Sequence, residues 1–127
     1  MSLFEGHSWS ELEAAAALFD EAEVARGSRL TVQGRPDPYL WLISTGEALV
    51  SADARPLRVI GPGEAAGIPG MLYSISSPET TIALNPIKAL VAGPREFNEL
   101  ISDDRIRRRL TGLAGDALRS RRASRPR

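Results

Sequence analysis

The sequence predicts a mainly β protein: an antiparallel β-roll, jelly-roll-like in the manner of a double-stranded β-helix, with an N-terminal helix and C-terminal helices. Three observations predict it. Apolar spacing changes from helical to period two after Phe19. From Leu30 to Val91 short apolar runs are separated by glycine or proline joints, the mark of an antiparallel barrel or roll. Helical signals return only after Gly93. A chain of 127 residues without cysteine fits one domain, taken as residues 1–118, whose core forms without disulfides. Residues 119–127 are expected to be a basic, disordered tail.

The elements follow in order. Ser8 with Glu11, or Ser10 with Glu13, forms a capping box for a first helix ending near Phe19–Asp20. Leu12, Ala15, Ala16 and Phe19 recur at helical spacing on it, and Trp9 anchors it. Strands are expected at Leu30–Gln33, Tyr39–Ser44, Glu47–Ser51, Leu57–Ile60, Thr80–Leu84 and Ile87–Val91. The turns between them carry Gly34-Arg-Pro-Asp-Pro38, Thr45-Gly46 and Asn85-Pro86. Tyr39 and Trp41 alternate on one strand face and are expected to fill the barrel. Gly93-Pro94 puts proline at a first helical position, ahead of Glu96, Phe97 and Leu100. Ser102 or Asp103 caps a terminal helix, 103–118, that ends near Leu118.

Composition excludes several functions. At 43% hydrophobic and 25% charged residues the chain is globular rather than disordered. Without cysteine, thiol nucleophiles and iron–sulfur ligation are excluded, and the single histidine, His7, cannot build a histidine metal cluster. No metal site, catalytic residue or cofactor is therefore expected. Carboxylates are plentiful but form no recognisable acid–base pair, no serine sits in a nucleophile elbow, and Gly61-Pro-Gly63 lacks a phosphate-loop lysine. The longest apolar run, Ala14 to Phe19, is about six residues, far short of a membrane span. The first residues lack the pattern of a secretory signal, which points to the cytoplasm. The formal net charge of zero hides an asymmetry. Residues 105–127 hold nine arginines against Asp116, a net of +8, whereas residues 1–104 hold seven cations and fifteen acids, a net of −8. Such a basic terminus suits nucleic acid or an acidic partner surface.

Several local sequences then align with one family. Arg26-Gly27-Ser28-Arg29-Leu30, Gln33-Gly34-Arg35-Pro36-Asp37 and Tyr39 to Glu47 through Gly46 follow the glycine-marked strands of the cyclic nucleotide-binding domain. Val59-Ile-Gly-Pro-Gly-Glu-Ala-Ala-Gly67 resembles the approach to its phosphate-binding cassette, and Ala92-Gly-Pro-Arg-Glu-Phe97 its first C-terminal helix. The resemblance runs from about Leu3 to Leu118 and implies the β-roll fold and a regulatory role. In the family, a cassette glutamate accepts from the ribose hydroxyl and an arginine neutralises the cyclic phosphate, beside backbone N–H groups at a short helix start. Here the cassette reads Gly67, Ile68, Pro69, Gly70, Met71 and Leu72, then Pro78, Glu79, Thr80 and Thr81. Gly67, Gly70 and Pro78 match, while Ile68 stands at the glutamate position and Glu79 at the arginine position. Thr80 or Thr81 still offers a hydroxyl. A carboxylate about 4 Å from a phosphate costs roughly 4 kcal/mol at an effective dielectric of about 20. An unanswered ribose hydroxyl adds roughly 1–3 kcal/mol. Each 1.4 kcal/mol, approximately, is tenfold in affinity, so ordinary cyclic AMP or cyclic GMP binding is not expected.

Ile106, Leu110, Leu113 and Ala117 are spaced as a heptad seam, which predicts a homodimer through the terminal helix. In regulators resembling catabolite activator proteins this helix dimerises and leads to a helix-turn-helix domain. Nine residues follow Leu118, too few for such a domain, so a stand-alone module is expected. The sequence thus reads as a non-enzymatic sensing or interaction module for an unidentified small ligand or protein. The alternative is a nucleic-acid-associated transcriptional regulator component, acting through weak contacts of its C-terminal arginines or through a DNA-binding partner.

Overall fold

The structure, a computed structural model, describes residues 17–124, with side chains through Gly115. The expected first helix, with His7 and Trp9, therefore lies outside the described residues, apart from a turn at Ala17–Leu18 and the buried Phe19. Eight strands follow: β1 (Asp20–Val24), β2 (Arg29–Thr31), β3 (Leu40–Thr45), β4 (Ala48–Ala52), β5 (Arg55–Ile60), β6 (Ala65–Ala66), β7 (Thr80–Ala83) and β8 (Ile87–Ala92). Helix α1 (Ile68–Tyr73) lies between β6 and β7, and α2 (Pro94–Leu100) and α3 (Asp104–Ser124) close the chain.

Two antiparallel sheets, β1-β8-β3-β6 and β2-β7-β4-β5, make the expected roll. Strand alternation then gives the first sheet two buried faces. Ile43 and Ala89 pair across it and face the second sheet, where they meet Leu30, Ala48, Val50 and Ile60. Leu40, Leu42 and Ala92 face the other way, beneath Phe97, Leu100, Ile106 and Leu110 of the helices. Trp41 packs on the inter-sheet core as expected. Tyr39 does not fill the barrel: it precedes the strand, stays 46% exposed and meets the Trp41 ring edge-on at 6.0 Å.

Three elements depart from expectation. β1 is acidic and has no apolar alternation, yet it pairs along its whole length with β8. Backbone pairing forms this strand, and its charges suit a sheet edge. β6 has two residues, too few to carry a pattern, and pairs with Trp41 and Leu42. The last helix passes Leu118 and continues to Ser124, because arginine and alanine favour helix and no proline intervenes before Pro126. Of the two expected caps it is Asp103 that serves, its Oδ1 accepting from the backbone N–H of Arg105 (2.9 Å) and Ile106 (3.2 Å). No helix among the described residues is long and apolar enough to cross a membrane.

Candidate functional site

The cassette segment forms α1, and glycines fix its placement. Gly67 takes φ +95°, and a Cβ there would stand 2.5 Å from the Tyr39 carbonyl oxygen. At Gly70 a Cβ would collide with the Asp37 carboxylate, so only glycine lets the helix lie on that turn. Ile68, Pro69 and Gly70 are buried. Ile68 is 6% exposed and belongs to the core beneath the helices, together with Ile106, Leu110 and Ala114 of α3. Met71 and Leu72 pack against the same cluster from its edge. The residue at the family's glutamate position is therefore a core residue that joins the cassette helix to the terminal helix.

The second half of the cassette lies inside the roll. Register places Arg58, Val50, Thr81 and Thr31 in one row across β5, β4, β7 and β2, with Val50 and Thr81 buried. Residues directly paired share a face, so Arg58 is on the same face as Val50. Glu79, 7% exposed, meets it at the end of this row. Arg58 Nη1 donates to Glu79 Oε2 at 2.7 Å and Nη2 to Oε1 at 3.0 Å, a bidentate ion pair. The Glu79 carbonyl accepts from Thr31 Oγ1 (3.0 Å) and Ser77 Oγ (2.7 Å). The two threonine hydroxyls expected to offer themselves to an anion both join the roll's hydrogen bonds, but Thr80 does so as an acceptor and keeps its proton. Because the one Thr31 hydroxyl proton goes to the Glu79 carbonyl, Thr81 Oγ1 donates across its 2.9 Å contact with Thr31 Oγ1, and Thr80 Oγ1 accepts from the Gln33 N–H at 2.9 Å. Pro78 is buried beside them.

This geometry alters the electrostatics expected from the sequence. Glu79 is not a lone charge, because a guanidinium holds both its oxygens. Arg58 and Glu79 thus neutralise one another inside the roll. Arg58 is the residue that sequence reasoning missed. Its parity with the buried Ile60 was the available signal, obscured by the apolar Leu57 and Val59 on the opposite parity. Asp37 was missed as well. It is buried beside Gly70, and burial pushes its carboxyl up to about 6; a Ser77 hydrogen bond opposes the shift and the Glu79 charge adds to it. Among the described residues no group of three metal-ligating side chains comes together.

Part of the expected dimer seam is buried within the chain itself. Ile106 and Leu110 are buried within their own chain, and Leu113 packs on the same cluster. The side chain of Ala117 lies outside the described residues. The apolar stripe folds back because α1, α2 and the outer face of β3 and β8 supply it with a partner surface in the same chain.

Comparison with known proteins gives a consistent picture. The family model described as the cyclic nucleotide-binding domain matches residues 21–104. No curated protein sequence matches the chain. Among solved structures, a catabolite activator protein from Thermus thermophilus superposes with a TM-score of 0.81 at 23% identity, over 92% of this chain and 58% of its own. The regulatory subunit of a cAMP-independent protein kinase A from Trypanosoma brucei gives 0.79 at 16% identity, over 89% of this chain and 41% of its own. The N-terminal domain of a transcriptional regulator from Streptomyces coelicolor A3(2) gives 0.68 at 24% identity, over 97% of this chain and 90% of its own. At these identities the likeness establishes the fold, and the chain spans about half the length of the first two.

Proposed function

The chain belongs to the cyclic nucleotide-binding domain family, and on that premise we propose that it is a non-enzymatic regulatory module whose cassette does not take cyclic nucleotide in the usual way. One observation carries this reading: the bidentate pair of Arg58 and Glu79 inside the roll. Glu79 presents its carboxylate to the one guanidinium in that row, so the chain supplies its own anion where the family binds a phosphate. Binding a cyclic nucleotide requires breaking that pair and leaving Glu79 buried without a counter-charge, which costs roughly 2–4 kcal/mol, below the fully buried figure because Arg58 is about a third exposed. Ile68 offers the ribose nothing. The Trypanosoma brucei regulatory subunit, named for a cAMP-independent kinase, has the same fold.

Regulation then runs through α1. Its Ile68, Met71 and Leu72 pack with Ile106 and Leu110, so a displacement of the cassette helix is felt directly at α3. A ligand or partner shifts this arrangement only by binding the two positions of α3 with different affinity. Glu79→Arg tests the electrostatic half of the account. It sets two guanidinium groups side by side, which destabilises the ligand-free variant and creates an anion site. Cyclic AMP at millimolar concentration should raise the melting temperature of the variant by several degrees and leave the natural protein unmoved. An equal rise in the natural protein contradicts the proposal.

The charge distribution favours a second reading. Arg105, Arg107 and Arg108 lie exposed on α3, in the segment of net charge +8. Contact with nucleic-acid phosphates predicts an affinity that falls linearly with log salt, and a salt-independent affinity for duplex DNA excludes it.

A further inference from the structure

Beside the cassette, and apart from its interior ion pair, lies a second feature with the character of a site. Pro36 and Pro38 flank Asp37 and stiffen the turn that carries it. Asp37 is 8% exposed, and its Oδ2 is buried with no hydrogen-bond partner. The carboxylate lies against Gly70 of α1, and both residues line a cleft of about 430 Å³. The cleft runs between the Asp37 turn, α1 and α2, and its walls combine Met71, Ile75, Pro94 and Phe97 with the polar Ser74, Ser76 and Asn98. The volume suits a small organic molecule.

Charge selects the kind of molecule. Among the described residues Asp37 is the one ionisable side chain lining the cleft, since α1 contributes Gly70 and Met71 and α2 contributes Pro94, Phe97 and Asn98. The further charge that acts on it is Glu79, which is already held by Arg58. The ionised carboxylate, with one oxygen unpartnered and a Ser77 hydrogen bond as its neutral support, therefore stands in the wall without a counter-charge, an arrangement that a bound cation relieves. A single carboxylate does not hold a metal ion, and the apolar part of the wall, Met71, Ile75, Pro94 and Phe97, favours a carbon skeleton over a hydrated ion. We propose that this cleft binds a small organic cation, an ammonium group on an apolar body, with the Asp37 carboxylate as its counter-charge. Because α1 and α2 both wall the cleft, the occupant bridges the cassette helix to the first C-terminal helix. The site is independent of whether the cassette interior takes a nucleotide.

Protonated phenethylamine and its neutral counterpart 2-phenylethanol, titrated into the full chain at pH 7.5 and followed by NMR, test this. The amine should saturate, and the alcohol should bind at least about tenfold more weakly, the contribution of a hydrogen bond to a charged group. Asp37→Asn should erase that difference. Should the variant not fold, the natural protein still decides: saturating amine should lower the Asp37 carboxyl pKa, read from its carbon shift, from about 6 toward the ordinary aspartate range. Equal binding of amine and alcohol, or no binding of either by tens of millimolar with the Asp37 titration unmoved, overturns the proposal.

Discussion

Asp37 and Glu79 are two buried acids that act on one another across the roll, and their environments differ. Glu79 has an arginine on both oxygens; Asp37 has one oxygen with no partner. The Asp37 carboxyl binds its proton more tightly in the folded chain, at about 6, than at the 3.8 of an exposed aspartate. The stability it contributes is complete below about pH 4 and disappears as pH rises toward 6. Asp37→Asn should accordingly stabilise the protein at pH 7.5 by an amount on the order of 2–3 kcal/mol, and by nothing at pH 3.5. Urea melts at the two pH values measure it, and an equal gain at both contradicts the burial account. For the ion pair, Arg58→Met should cost roughly 2–4 kcal/mol because Glu79 is left buried and charged, and adding Glu79→Met should restore most of the loss. A double-mutant cycle in urea reads the coupling. Neither interaction was legible from the chain. The Arg58–Glu79 partners stand 21 positions apart, and their meeting depends on strand register that includes a bulge between Val50 and Ser51. The identity of Glu79 at a position where the family carries arginine was legible, and it is the key to the site.

At the scale of elements, period-two runs and glycine joints located six strands, because those strands bury one or both faces and the apolar residues must alternate or fill accordingly. β1 escaped because its pairing with β8 uses backbone groups and its side chains are acidic. The terminal helix shows the limit of periodicity more sharply. Ile106, Leu110 and Leu113 at four- and three-residue spacing describe an apolar stripe, but a stripe reads the same whether it meets a second copy or the chain's own sheet. Here it meets Phe97, Leu100 and the α1 residues. Leu110 is fully buried (0% exposed), so Leu110→Ala should cost about 2–5 kcal/mol, and Leu110→Glu should unfold the protein rather than separate a folded dimer into folded monomers. Circular dichroism beside light scattering distinguishes the two. A folded Leu110→Glu monomer at half the natural mass would restore the seam to the dimer interface.

The whole molecule is a roll with one sheet buried on both faces, and α1 is the element that touches both halves of its chemistry. Gly67 and Gly70 seat the cassette helix on Tyr39 and Asp37, while Ile68 buries its side chain beneath α3. The fold of the family persists, and the cassette helix packs on the terminal helix. What has changed is the polar end of the roll, where Arg58, Glu79, Thr31 and Thr81 bond one another. Restoring the family's glutamate at Ile68 would place a charge in the helix-facing core, so the ribose contact cannot be recovered by one substitution. The central claim is that a carboxylate of the chain itself occupies the guanidinium on which a cyclic phosphate would depend. Calorimetric titration of the natural protein with cyclic AMP, and then with cyclic GMP, tests it most directly. The account predicts no saturable heat up to millimolar nucleotide; a saturable isotherm with a micromolar dissociation constant would contradict it.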